Sequence, residues 1–266
     1  LIDGRIVSLT HESQLENISW KDCDVVIEST GKFLTNLDLE KHLKAGAKKV
    51  ILAASPEGDD VKMVVLGVND YKLNESDSIV SNASCTTNCA APMVQIIDEN
   101  FGVDQAYITT IHSYTKDQSL HDSPHKDLRR ARAGALSIIP TTTGAAKAIT
   151  KIFPHLEIGG CGMRVPVANG SLTDITFTVQ NECTIEEVNQ LFYKASIEKY
   201  QRIVDYTEDP IVSADIVGNT ASCLFDSQLT SVLGNMVKIV AWYDNEIGYS
   251  KIINKFRKVK RNYGNV

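Results

Sequence analysis

The chain has 266 residues, of which 43% are hydrophobic and 23% charged, an ordinary globular composition that excludes a disordered, collagen-like or coiled-coil chain. Its net charge of −6 argues against a broad nucleic-acid face, so no specific nucleic acid is expected as partner. No apolar run approaches the ~18 residues of a membrane-crossing helix, so no membrane partner is expected either.

The chain opens Leu1-Ile2-Asp3-Gly4, with neither an initiator Met nor the basic, apolar and cleavage regions of a signal peptide. The expectation is a cytoplasmic protein whose natural start lies upstream of Leu1. Residues 24–28 read as a strand ending at Ser29-Thr30-Gly31. Asn36 can cap a helix through residue 44, with Leu39 and Leu43 on one face and Gly46 as a stop. Residues 49–54 and 63–68 are near-continuous apolar runs, the pattern of strands buried on both faces of a parallel sheet. Ile79-Val80 leads as a strand into Ser84-Cys85.

Residues 86–100 predict a helix followed by Gly102, with Pro92 marking a kink or a new first turn. Residues 105–112 predict a strand, 113–137 a long polar and basic loop, and 142–152 a helix rich in small residues. Residues 172–180 alternate as an antiparallel strand does. Thr184-Ile185-Glu186-Glu187 is a capping box opening a helix to about residue 200. Residues 211–215, 222–225 and 236–243 read as strands, and 247–261 as a basic helix. Parallel α/β first and antiparallel α+β second imply two domains.

The segment Ser81-Asn82-Ala83-Ser84-Cys85-Thr86-Thr87-Asn88-Cys89 carries the sharpest chemistry. A cysteine between a strand end and a helix start meets free amide N–H groups and the helix dipole. Both lower a thiol's pKa and could stabilise an oxyanion. His112, at the end of the next predicted strand, is placed to serve it as base. The alternatives stay open on spacing alone. Cys85-x3-Cys89 could be half of a metal site, but no second Cys/His pair has matching spacing, so no metal is expected. A buried, inert thiol is the commonest state of a free cysteine. The six cysteines (23, 85, 89, 161, 183, 223) are too sparse for a disulfide framework, so reduced thiols are expected.

Ser81–Cys89 followed by Ala90-Ala91-Pro92 resembles the active-site signature of the phosphorylating (type I) glyceraldehyde-3-phosphate dehydrogenase family. Further matches run in order along the chain: Glu28-Ser29-Thr30-Gly31, Gly67-Val68-Asn69, His112-Ser113-Tyr114-Thr115, residues 124–132, residues 140–148, Arg164-Val165-Pro166 and Trp242-Tyr243-Asp244-Asn245-Glu246. The resemblance implies an N-terminally incomplete member. Residues 1–84 would be the remainder of a Rossmann NAD-binding domain lacking its first βαβ unit, so the chain as given would bind NAD poorly and the catalytic reading applies to the complete protein. Residues 85–244 would be an α+β catalytic domain with a mostly antiparallel sheet, and 245–266 a helix returning to the first domain. It also implies a homotetramer.

The implied reaction is oxidation of glyceraldehyde 3-phosphate to 1,3-bisphosphoglycerate through a hemithioacetal and thioester on Cys85, with His112 as acid and base, NAD as cofactor and inorganic phosphate as second substrate. Thr115, Asp117 and Arg164 are implied for the substrate phosphate. Ser84, Thr86, Arg132, Thr143 and Gly144 are implied for inorganic phosphate, with Arg129 and Arg130 left to a solvated loop. Thr30, Gly31, Phe33, Pro124, Asn245 and Tyr249 are implied for the cofactor, Asn245 giving and accepting at the nicotinamide carboxamide. Several departures stand out. No G-x-G-x-x-G occurs in the chain, Ala53 and Ser123 replace common family residues, Ile247 replaces an aromatic, and residues 156–163 are two shorter than usual. The alternatives are an erythrose-4-phosphate dehydrogenase and a truncated, non-catalytic homologue.

Overall fold

The computed structural model describes residues 2–262, with side chains through residue 256. Its first part is a parallel sheet of β1 (Val25–Glu28), β2 (Lys49–Leu52), β3 (Lys62–Met63) and β4 (Ile79–Ser81), in the order β1-β2-β4-β3. Helix α1 (Asn36–Lys44) makes the crossover from β1 to β2. Its cap is Thr35 rather than Asn36, because the Thr35 hydroxyl accepts from the Asp38 amide at 3.2 Å. On one face Leu39 packs with Val50, Leu52 and Val61. On the other, Ile252 and Phe256 of α5 (Ile247–Asn262) pack with Ile51, Val64, Leu66, Leu73 and Val80. Burial on both faces explains the continuous apolar runs.

The apolar run at 63–68 does not continue as a strand. The Asn69 side chain donates to the Met63 carbonyl and accepts from the Val65 amide, at 3.1 and 2.7 Å. Those bonds replace ladder partners, and Gly67, at φ +78°, turns the chain away.

The second part is built on a mixed sheet. Its strands are β5 (Val103–Ser113), β6 (Ile139–Thr141), β7 (Glu157–Val165), β8 (Ser171–Val179), β9 (Val204–Thr207), β10 (Cys223–Asp226), β11 (Ser231–Leu233) and β12 (Met236–Tyr243). They run β6-β7-β5-β8-β12-β10-β9, with β11 on β12. Pairings are antiparallel except β5 with β7 and β9 with β10. Helices α2 (Cys85–Phe101), α3 (Gly144–Ile152) and α4 (Ile185–Ile197) contribute Met93, Ile97, Ile149 and Phe192 to a core shared with Ile108, Ile175, Phe177, Phe225 and Ile239 of the sheet. Phe192 stacks on Phe225 with ring centroids 3.9 Å apart. The α4 capping box forms as expected.

Helix α2 runs unbroken through Pro92, as a single helix rather than two. Residues 211–215 lie in no strand and enter a turn at 213, while β7 and β9 lie where no strand is expected from sequence. Strand β7 carries Gly159 and Gly160 where its neighbours crowd the space a side chain would take. A Cβ on Gly160 would meet the Ile108 carbonyl oxygen at 2.7 Å and Ala146 Cβ at 3.0 Å. Among the described residues no helix is long and apolar enough to cross a membrane, and no His, Cys, Asp and Glu group is placed to hold a metal ion.

Candidate active site

Strand β4 delivers the chain to a tight elbow before α2. Ser81 Oγ donates to the Ala54 carbonyl at 2.6 Å and accepts from the Ala83 amide at 2.9 Å. Ala83 is held in the left-handed region at φ +55°. Its carbonyl accepts from the Tyr249 hydroxyl at 2.8 Å. Ser84 then caps α2, accepting from the Thr87 amide at 3.1 Å. Cys85 is thereby the first helical residue, with its thiol at the positive end of the helix.

His112 comes from β5 and Arg164 from β7. The two strands are parallel and pair His112 with Arg164, so the side chains stand side by side. His112 Nε2 lies 3.5 Å from Cys85 Sγ. His112 Nδ1 lies 2.8 Å from the Ser113 carbonyl oxygen; a proton held there would leave the Nε2 lone pair facing the thiol. Arg164 Nη1 donates to the same carbonyl at 3.1 Å and touches His112 Nδ1.

The helix terminus does not win the contest over the thiol. Cys85 is enclosed except at the cleft mouth, and burial pushes its pKa up to about 11. The Thr86 amide and hydroxyl and the Arg164 charge act against that rise, and the Glu246 charge adds to it. Burial, with the Arg164 charge second, pushes His112 down to about 4. The resting pair is therefore a neutral thiol and a neutral imidazole, not the depressed thiol expected from the helix dipole.

Cys85 and His112 open into a cleft of about 260 Å³. Ser84, Thr86, Arg130, Thr141, Thr142, Thr143, Gly144 and Arg164 also line it. A second helix N-terminus faces it, that of α3, capped by Thr143 Oγ1 accepting from the Ala145 amide at 3.2 Å. A Cβ at Gly144 would meet nothing within 4 Å, so the space before that terminus is open. Two helix N-termini and two guanidinium groups make the cleft a receptor for anions.

Arg130, which the sequence leaves to a solvated loop, lines the cleft, whereas Arg132 does not. Arg130 Nη1 donates to Asp117 at 2.5 Å, and its Nε and Nη2 donate to Thr141 Oγ1 at 2.9 and 2.5 Å. Arg132 is exposed and pairs with Asp122 instead. An Arg-Arg-Ala-Arg run offers no local sign of which member turns inward; the sign lies in Asp117 and Thr141, its distant partners. Thr115 and Asp117 stand behind the cleft rather than in its wall. Thr115 Oγ1 donates to Gln118, and Asp117 anchors Arg130.

The residues expected at the cofactor fall in three places. Asn245 is buried, and its Oδ1 accepts from Ser113 Oγ, Ser171 Oγ and the Gly170 amide at 2.9 to 3.3 Å. Its Nδ2 donates to the exposed Glu246 at 3.1 Å. The Tyr249 hydroxyl is engaged with Ala83, while the residue lines a cleft of about 660 Å³ with Ser29, Ala53 and Ile247. Thr30 and Gly31 form the exposed turn after β1, and Phe33 is half-buried beyond it. Pro124 is exposed on the loop between β5 and β6.

Residues 84–245, from the α2 cap to Asn245, match the family described as "Glyceraldehyde 3-phosphate dehydrogenase, C-terminal domain". Glyceraldehyde-3-phosphate dehydrogenase 2 of Streptomyces avermitilis is 51% identical over 94% of this chain and 76% of its own length. The glyceraldehyde-3-phosphate dehydrogenase of Streptomyces coelicolor is 50% identical over the same shares. That of Mycobacterium avium is 50% identical over 88% of this chain and 70% of its own. The chain belongs to the glyceraldehyde-3-phosphate dehydrogenase family, a family of oxidoreductases. The family match begins at Ser84, so the elbow strand β4 and the whole parallel sheet precede it.

Proposed function

We propose that the chain carries the phosphorylating oxidation of glyceraldehyde 3-phosphate to 1,3-bisphosphoglycerate, with NAD as cofactor. The observation that carries this reading is Cys85 Sγ 3.5 Å from His112 Nε2 in a cleft walled by Arg130, Arg164 and two helix N-termini.

Each step asks for a group that the chain supplies. The Cys85 thiol adds to the aldehyde carbon, and His112 Nε2 carries the thiol proton to the carbonyl oxygen. Amide N–H groups in the first turn of α2 face the oxygen that gains charge. The neutral resting pair suits this order, because the proton moves only when the electrophile arrives. NAD, when bound, supplies the hydride acceptor that converts the hemithioacetal into a thioester on Cys85. His112 Nε2 holds the hydroxyl proton released in that conversion. Inorganic phosphate then attacks the thioester carbonyl, the carbon–sulfur bond breaks, and the Cys85 thiolate recovers its proton from His112. Burial of the thiol limits competing hydrolysis.

Arg164 beside His112 suits the substrate phosphate, with Thr115 and Asp117 behind it. Ser84, Thr86, Thr143, Gly144 and Arg130 suit inorganic phosphate. For NAD, the observations that fit are the Asn245 Nδ2 donor, the Thr30–Gly31 turn at a parallel strand end and the cleft beside Tyr249. This reading divides the chain into a cofactor part at 1–84 and 245–266 and a catalytic part at 85–244, assembled as a homotetramer. Exposed Leu120, Leu128, Leu136 and Ile138 in and beside the 114–138 loop support assembly.

The test is NADH formation by the full-length protein from glyceraldehyde 3-phosphate and NAD, with and without inorganic phosphate, repeated with Cys85→Ser. Phosphate-dependent turnover that Cys85→Ser abolishes is expected. Turnover indifferent to phosphate, or retained by Cys85→Ser, would overturn the reading.

A further inference from the structure

A buried polar chain lies outside the Cys85 cleft and joins three segments of the first sheet. Trp20 Nε1 donates to His42 Nδ1 at 3.0 Å. His42 Nε2 lies 3.0 Å from Glu28 Oε2. Glu28 Oε1 accepts from the Thr30 amide at 2.7 Å and from its hydroxyl at 2.5 Å. An indole N–H can only donate and a carboxylate can only accept. Both ends therefore force His42 to hold its proton on Nε2 and to present a bare Nδ1. Every bond in the chain is consistent with that one arrangement.

Its cost lies in burial: Glu28 is 3% exposed and His42 2%. Taking a carboxylate and an imidazole out of water is unfavourable unless their bonds compensate, and packed apolar side chains would serve stability at least as well. What the carboxylate holds is Thr30, an exposed residue whose amide and hydroxyl water could satisfy. The arrangement therefore fixes where Thr30 stands. Thr30 in turn orders the next step of the turn, accepting from the Lys32 amide at 3.2 Å, around Gly31 at φ +71°. The turn leaves the carboxyl end of parallel strand β1, and Ser29 within it lines the cleft of about 660 Å³ shared with Ala53 and Tyr249. Ligands of open parallel sheets bind outside such strand ends.

We propose that Glu28, oriented by His42 and Trp20, is a positioning residue that fixes the Thr30–Gly31 turn for NAD. This rests on the NAD reading above. Glu28 touches neither Cys85 nor His112 and acts only through the turn. In Glu28→Gln the side-chain amide brings a donor against His42 Nε2–H or against Thr30, so one bond of the chain must break.

The experiment compares wild type and Glu28→Gln by three readouts. Amide hydrogen exchange at Thr30, without cofactor, should rise about tenfold or more, the value of one lost bond to a charged acceptor. The calorimetric dissociation constant for NAD should rise by about tenfold on the same ground. The rate of Cys85 alkylation by iodoacetamide without NAD should stay within about twofold, since nothing at the elbow changes. Should Glu28→Gln fail to fold, Thr30→Val deletes the two hydroxyl bonds, to Glu28 and from the Lys32 amide, keeps the Thr30 amide bond to Glu28, and should weaken NAD by about threefold. Faster Thr30 exchange with unchanged NAD affinity in the folding variant would overturn the proposal. So would weaker NAD binding accompanied by altered alkylation, which would mean a global change. A full-length wild-type protein that binds no NAD, yet shows slow Thr30 exchange, would overturn the NAD reading and the proposal with it.

Discussion

Arg130 Nη1 meets Asp117 Oδ2 at 2.5 Å, and this pair turns one arginine of a basic run into the wall of the Cys85 cleft. Asp117 orients the guanidinium from behind while Thr141 Oγ1 accepts from its other nitrogens. Arg130→Ala should raise the phosphate concentration for half-maximal turnover by about tenfold to a hundredfold, the value of bonds to a charged group. Asp117→Ala should reproduce part of that loss by releasing the guanidinium. Arg132→Ala should change it less than about twofold, because an exposed pair with Asp122 contributes little. Phosphate titrations of the three variants decide between the two arginines.

The shifts at Cys85 and His112 predict an unusual pH profile for the substrate-free chain. With the thiol near 11 and the imidazole near 4, both stay neutral across the neutral range. Only the thiolate is alkylated, so the iodoacetamide rate should climb about tenfold per pH unit from neutrality, with no plateau below about pH 10. Arg164→Leu removes the cation that favours the thiolate and disfavours the imidazolium. It should slow alkylation at fixed pH and raise the His112 pKa. His112, depressed by burial, contributes stability that is present above its ordinary pKa of 6.5 and is lost as pH falls toward 4. A rate plateau near pH 6 would show an ion pair in place of the neutral one.

The parts legible in sequence are those whose cause is local. The start of α2 beside Cys85, the Thr184 capping box and the alternation of β8 each rest on neighbours within a few residues. The proximity of Cys85 to His112 needs only a helix and a returning strand. What is illegible depends on distant partners. Asn69 ends a strand that periodicity would continue, by capturing Met63 and Val65. Strand β9 exists because Cys223 to Asp226 lie beside it. The glycines of β7 carry no strand pattern, yet they mark where Tyr107, Ile108 and Ala146 press on a strand.

That pressure gives a direct test. Gly160→Ala would drive a methyl to 2.7 Å from the Ile108 carbonyl, where backbone must shift, and should destabilise by about 2 kcal/mol. Gly144→Ala enters open space at the start of α3 and should leave stability unchanged or raise it by about 0.5 kcal/mol. Its methyl would nonetheless stand in the cleft and weaken phosphate use. Urea unfolding of both variants separates packing from function.

Asp244 ties the approach to α5 to two other loops through four hydrogen bonds. Oδ1 accepts from the Glu246 and Ile247 amides at 2.9 and 2.8 Å, and Oδ2 from Asn169 Nδ2 and the Gly218 amide at 3.0 and 2.8 Å. The residue is 1% exposed, and although burial opposes ionisation, these bonds together hold its carboxyl below the usual range. The next residue, Asn245, keeps its own amide oriented through Ser113, Gly170 and Ser171. Asp244→Ala should therefore cost about 3 kcal/mol, since several buried donors lose a charged acceptor together. A depressed carboxyl contributes stability that is present above its unfolded pKa and is lost as pH falls through its folded value. The stability gap between wild type and Asp244→Ala should accordingly be full at pH 7 and shrink as the carboxyl protonates in acid. Asp244→Asn keeps the acceptor toward α5 but sets an amide N–H against Asn169 and Gly218. It should fall between the two and lose the acid dependence, because no proton is left to bind. Urea titrations at a series of pH values measure all three, and a gap that stays constant into acid would mean that the four bonds do not depend on the charge.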